Sequence, residues 1–352
     1  MAGNVLFGAV ATYARCVSEE LKRVVEGYYE CPVPFVVGVS ALAVEYSAVV
    51  GGRAVVIRLP SEDGVDRNSD ELSAPPWHYS ERQDLLSSRP ELAPFWGRIV
   101  HWAENFSAPK AASVRRFGIS LEVAGDDDQV RDGGRHIAEA MPTWWAAVSA
   151  WIELRHGQDL SQLGPVQPGI KFTGTTLWAR LYSLHGHPIR DGGILPVGSS
   201  AVSLVWPSYA SIDAPQLQRC IDHAQQFGPP GTEWLLIRDA NSLCAGQDYR
   251  RAMLDAGLAA ELAVTNLITA HLTAVGRSAD IPGELRANAM LSRRCQYWVS
   301  RCRGTLPVDY QSRLIDRRNS ATHAGTHFPE ADVRDAISVA REIVDQAIPL
   351  PP

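Results

Sequence analysis

Residues 251–273, RAMLDAGLAAELAVTNLITAHLT, decide how the second half of the chain is built. Met253, Leu254, Leu258, Leu262 and Leu267 form an apolar stripe at helical spacing, alanines fill the gaps, and no proline interrupts the run. The stretch predicts one long helix over 248–274. Working outward, the N-terminal neighbour 232–245 reads as a helix, set off by Gly228-Pro229-Pro230-Gly231. On the C-terminal side, Pro282-Gly283 resets the chain before a helix over 284–303, and Pro307 precedes a short helix over 310–323 that Gly325 ends. Pro329 then opens a last helix to Ala347, since proline suits a first helical turn. These elements make a helical bundle.

The first two hundred residues carry a different signal. Pro34 to Val50 is Val-rich with partial alternation, Gly51-Gly52 marks a turn, and Arg53 to Leu59 resumes as a strand, which together predict a hairpin. Val114 to Val123 reads as a further strand, closed by Gly125-Asp126-Asp127-Asp128. Residues 129–155 switch to helical spacing, with Pro142 expected to kink or split the helix. Strand signals return at 170–172, 176–182 and 201–206, and a helix follows over 215–227. The expected fold is therefore α+β, a β-rich domain over 1–230 followed by an all-α bundle over 231–352.

Composition narrows the function classes. At 352 residues about two domains are expected, and 45% hydrophobic with 20% charged residues suits a globular protein. No apolar run reaches the roughly 18 residues of a membrane helix, and the apolar patch Val5 to Ala11 has no Lys or Arg before it. It reads as the first element of the fold, and no membrane partner is expected. Cys16, Cys31, Cys220, Cys244, Cys295 and Cys302 lie scattered without a Cys-x-x-Cys pair, which favours idle thiols in a reducing cytoplasm over a zinc site or disulfide framework.

The net charge of −6 is uneven. Residues 246–352 hold 13 Arg against 12 acidic residues, which leaves the first 245 at −7. Within 285–320, Arg286, Arg293, Arg294, Arg301, Arg303, Arg313, Arg317 and Arg318 face only Asp309 and Asp316. A basic stretch in an acidic protein is where a phosphate-bearing partner docks, and Arg293 and Arg294 are candidate RNA contacts.

The chemistry-bearing string is Leu314-Ile315-Asp316-Arg317-Arg318-Asn319-Ser320-Ala321-Thr322-His323-Ala324-Gly325. Four residues separate Arg318 from His323, and five separate Arg317 from it. A His titrating near neutrality moves protons, and an always-charged, planar Arg stabilises negative charge developing on phosphoryl oxygens. Asn319 lies four residues before His323 and so on the same helix face. Glu261, inside the apolar helix, is placed to pair with Arg317 or Arg318. Arg318 and His323 are about 140° apart around an ideal helix, too splayed for one helix to present both to a single phosphate.

This string resembles the signature of HEPN domains, an Arg followed by a polar residue and separated from a His by four to six intervening residues. The resemblance covers about 246–347. It implies a metal-independent endoribonuclease in which the RNA 2′-hydroxyl attacks the adjacent phosphorus, with Arg318, Asn319 and His323 catalytic and Glu261 and Arg317 supporting. It also implies no cofactor, an RNA substrate, and a homodimer through the helical domain that brings two motifs to one cleft. The domain order resembles defence and toxin ribonucleases whose first domain senses a trigger. The alternative it leaves open is a HEPN module that dimerises and binds RNA or protein without cutting.

Other constellations are weaker. His185, His187 and Asp191 read as loop residues lacking a fourth ligand, and Asp126 to Asp128 as a solvated turn without the Gly and terminal Glu of a calcium loop. Trp77, Trp96 and Trp102 flank a polar loop and are candidates to line a ligand surface.

Overall fold

The computed structural model describes residues 22–42, 44–63, 65, 70–75, 95–104, 108–165, 169–173, 178–180, 194–196, 201–205, 210–323 and 328–352. The start of the chain, Trp77, the His185–Asp191 group and Gly325 lie outside them. The fold is α+β. The first unit comprises Met1–Trp151 and Ser211–Pro229, the second Ile152–Ala210 and Pro230–Pro352. One division thus falls at 229/230, near the expected boundary. The segment 152–210, assigned from sequence to the β-rich domain, instead groups with the helices. Its bonds explain why: the buried Glu153 carboxylate accepts from Leu160 N (2.9 Å), Ser161 N (2.7 Å) and Ser161 Oγ (3.0 Å), and Leu163 N donates to Ser242 Oγ at 2.8 Å.

The first unit is built on a five-stranded antiparallel sheet: β1 (Lys22–Gly38), β2 (Glu45–Val50), β3 (Arg53–Arg58), β4 (Gly97–Trp102) and β5 (Pro109–Ala124). The order is β1-β5-β3-β2, with β4 also on β5. Gly51 and Gly52, at φ 55° and 78°, turn β2 into β3, the left-handed pair that a two-residue hairpin needs. The β1–β5 register shifts between Glu30 and Phe35, where Pro32 and Pro34 have no N–H to give a ladder. Helix α1 (Asp127–His156) lays Trp144 and Trp145 against Phe117, and Trp145 against Phe35 and Tyr29, with ring centroids 5.2–6.3 Å apart. Of the two outcomes expected at Pro142, a kink or a split, the split does not occur: α1 runs through it. The buried Trp144, Trp145, Val148, Trp151 and Ile152 beyond it anchor the continuing helix despite one lost backbone bond. Asp126 caps α1, accepting from Gln129 N at 2.9 Å while Gln129 reaches back to Asp126 N, so this acidic run starts a helix. Trp96 is buried against Tyr28 rather than lining a surface.

Further along, β6 (Gly169–Thr173) pairs with β9 (Ala201–Val205) and β7 (Trp178–Arg180) with β8 (Ile194–Pro196), both antiparallel. Helix α2 (Ala214–Phe227), capped by Asp213, returns to the first unit.

The second unit's helices are α3 (Thr232–Ala245), α4 (Tyr249–Ala274), α5 (Ile281–Ala287), α6 (Leu291–Ser300), a π turn at Gln311–Ile315, α7 (Asp316–His323) and α8 (Glu330–Ala347). The single helix expected over 284–303 is two, because the backbone leaves helical space at Asn288 and is extended at Met290. The core centres on α4, which packs against α3, α6, α7 and α8. Of the expected apolar stripe only Met253 is fully buried; the other deepest positions include Ala252, Ala256, Ala259, Ala260, Ala263 and Val264, and Leu258 is 43% exposed. Small side chains let neighbouring backbones approach closely, so α4 is surrounded rather than laid on one face. By length and composition α4 is apolar enough to cross a membrane, but half of its most apolar window is buried inside this core.

Candidate functional site

The motif occupies α7, a two-turn helix launched by the π turn and held by two neighbours. Arg317 and Arg318, adjacent in sequence, point about 100° apart around the helix and meet different partners. Arg317 meets α8. Its Nη1 donates to the Asp335 carboxylate at 2.8 Å, to Asp332 O at 3.0 Å and to Arg313 O at 3.2 Å, while Nη2 donates to the Asp332 carboxylate at 3.0 Å. Arg313 reinforces this seam, with Nη2 2.5 Å from Asp335, and it holds the Asp335 carboxyl below its ordinary range, with Arg317 adding to the effect.

Arg318 meets α4. Its aliphatic stem crosses Gly257, where an added Cβ would lie 2.6 Å from Arg318 Cγ and 3.4 Å from its Cβ and Cδ. Glycine inside a helix costs about 1 kcal/mol relative to alanine, so this bare Cα is retained against local preference. The Arg318 guanidinium lies 3.9 Å from the Glu261 carboxylate and donates weakly to Asn319 Oδ1 at 3.4 Å. Its Nε is buried and has no hydrogen-bond partner among the described residues. Glu261 therefore pairs with Arg318 and not with Arg317. Its other oxygen is 3.1 Å from Arg294 Nη1, which also donates to Thr265 Oγ1 at 2.8 Å, while Arg294 Nε donates to Asn288 O at 3.2 Å.

The structure thus brings together Arg318, Asn319, Glu261 and Arg294, and sends Arg317 elsewhere. The side chain of Arg294, expected from sequence to contact RNA, is 17% exposed, and its Nε and Nη1 are engaged inside the fold. Arg293 is exposed, with no partner among the described residues. His323 is the last residue of α7, one turn beyond Asn319, and its side chain lies outside the described residues. Arg250, not singled out from sequence, anchors this end of α7 by donating to Ala321 O at 2.9 Å. Gly257 also went unnoticed, although a lone glycine in an alanine-rich helix is itself a signal of close approach.

Cys31, Cys220, Cys244, Cys295 and Cys302 are unbridged and buried, and burial pushes the thiols of Cys244 and Cys295 up to about 11 and about 12. Such thiols are poor nucleophiles. Among the described residues no group of three or more His, Cys, Asp or Glu is placed to hold a metal ion. No family model matches the chain, and neither do any curated protein or solved structure.

Proposed function

We propose that the protein is a metal-independent endoribonuclease of the HEPN type, with Arg318 and His323 as its catalytic pair. One observation carries the choice of residues: of the two arginines that satisfy the motif, Arg317 is consumed by α8, whereas Arg318 keeps an unpartnered Nε and only a loose ion pair. In the proposed step the RNA 2′-oxygen bonds to the adjacent phosphorus as the P–O5′ bond breaks; the imidazole of His323 takes the 2′-hydroxyl proton, and the departing 5′-oxygen receives a proton from the imidazolium. Arg318 supplies the positive charge that the phosphoryl oxygens need, and Asn319 holds the imidazole or the phosphate. The products carry 2′,3′-cyclic phosphate and 5′-hydroxyl ends.

The splay of Arg318 and His323 around one helix is resolved if two copies meet across a two-fold axis through residues 246–347. Exposed Arg293 then steers the RNA backbone, the acidic first unit serves as sensor, and the role is that of a toxin or abortive-infection effector in the cytoplasm. The test is cleavage of RNA in EDTA by wild type, H323A, R318A and R317A, with circular dichroism establishing that each is folded. H323A should lose roughly 100- to 10,000-fold and R318A on the order of 100-fold or more. A folded H323A that cuts at the wild-type rate overturns the catalytic reading and leaves a binding module. Sedimentation as a monomer at micromolar concentration overturns the shared cleft.

A further inference from the structure

The position of Arg318 rests on two residues that the motif does not contain. Gly257 is buried in α4, and any larger residue there meets Arg318 at its Cγ, too near the backbone for the side chain simply to swing clear. Arg294 on α6 grips Glu261 at 3.1 Å, closer than the 3.9 Å between Glu261 and Arg318. Glu261 is thereby shared between two guanidinium groups. A carboxylate held by Arg294 orients Arg318 without closing on it, and so leaves more of its positive charge for a phosphate. Thr265, also bonded to Arg294, fixes the same arrangement from α4.

We propose that Gly257 and Arg294 are positioning residues for Arg318, Gly257 by admitting its stem and Arg294 by setting Glu261. The effect on cleavage, and with it the role of Arg294, rests on the ribonuclease reading above, whereas the coupling between positions 257 and 318 does not. Arg294 acts through other side chains and touches no RNA.

Two measurements on the full chain test this. The first is a thermal unfolding cycle of wild type, G257A, R318A and the double variant. In the R318A background only a Cβ remains at 318, so Gly257→Ala should express its helical preference and raise the midpoint by roughly 2–4 °C. In the wild-type background the gain should vanish or reverse. An equal shift in both backgrounds overturns the seat.

The second compares the maximal rate of RNA cleavage in EDTA with RNA binding across a salt series. Gly257→Ala and Arg294→Ala should lower the rate on the order of 10- to 100-fold, as small misplacements of a catalytic group do, with RNA affinity and salt slope unchanged. Arg294→Lys should recover part of the rate, keeping the charge but not the fork. Arg293→Ala should do the opposite, weakening binding and flattening the salt slope by about one. If Arg294→Ala behaves like Arg293→Ala, Arg294 is an RNA contact and the proposal fails. If wild type cuts no RNA, the ribonuclease reading fails while the thermal cycle still decides the seat.

Discussion

At the scale of the residue, Arg317 and Arg318 show how one position along a helix separates a brace from a candidate catalyst. Arg317 makes four hydrogen bonds, three of them to Asp332 and Asp335 of α8. Arg317→Ala should therefore cost about 1–2 kcal/mol in urea unfolding, because it strips partners from two half-exposed carboxylates. Arg318→Ala should cost less. Asp335 adds a pH dependence whose sign is fixed. Its folded pKa is lowered, chiefly by the bond from Arg313, so its contribution to stability is present above the unfolded value and fades as pH falls through the folded one. The gap in unfolding midpoint between wild type and D335N should be widest near pH 7 and close toward pH 3. A gap that stays constant with pH would remove the pairing from the account of α7 and α8.

At the scale of the element, α1 and the α5–α6 break show local rules being outvoted and upheld. Pro142 is exposed, so replacing it gives up no buried contact, and it forfeits one helical hydrogen bond. Pro142→Ala should stabilise α1 by roughly 1–3 kcal/mol, read as a higher melting temperature. A variant that melts lower would mean that the proline shapes the packing of Trp144 and Trp145. At Asn288 the reverse holds. Its Nδ2 donates to Glu284 O at 2.9 Å, its own carbonyl accepts from Arg294, and the helix ends there. Nothing in the spacing of apolar residues over 284–303 announced that break, because it is made by a side chain from the next helix.

At the scale of the whole molecule, the second unit holds a buried carboxyl whose titration runs opposite to that of Asp335. Glu153 is 8% exposed, and burial pushes its carboxyl from the ordinary 4.5 to about 7, outweighing Arg238 at 3.6 Å and the donors of Ser161 and Leu160. A raised folded pKa means that this contribution is fully present below the unfolded value and is lost as pH rises through about 7. Glu153→Gln should therefore gain on wild type in melting temperature between pH 5 and pH 8. If the two proteins keep a constant difference over that range, Glu153 is ionised throughout and its hydrogen bonds dominate.

The sequence alone determined what depends on neighbours along the chain. The Gly51-Gly52 hairpin, the bounds of α3, the Pro329 start of α8 and the candidate string Arg318-Asn319 to His323 follow from turn geometry, helical period and residue chemistry, all of them local. Tertiary structure decided what depends on residues far apart. It chose Arg318 over Arg317 as the partner of Glu261, withdrew Arg294 from the surface, and moved 152–210 to the helical unit. It also placed alanines rather than leucines at the centre of α4, since a helix surrounded by others selects for close approach instead of one apolar face. Which of two adjacent arginines is free for chemistry is set by carboxylates more than 10 residues away in one case and more than 50 in the other, and no local pattern encodes that choice.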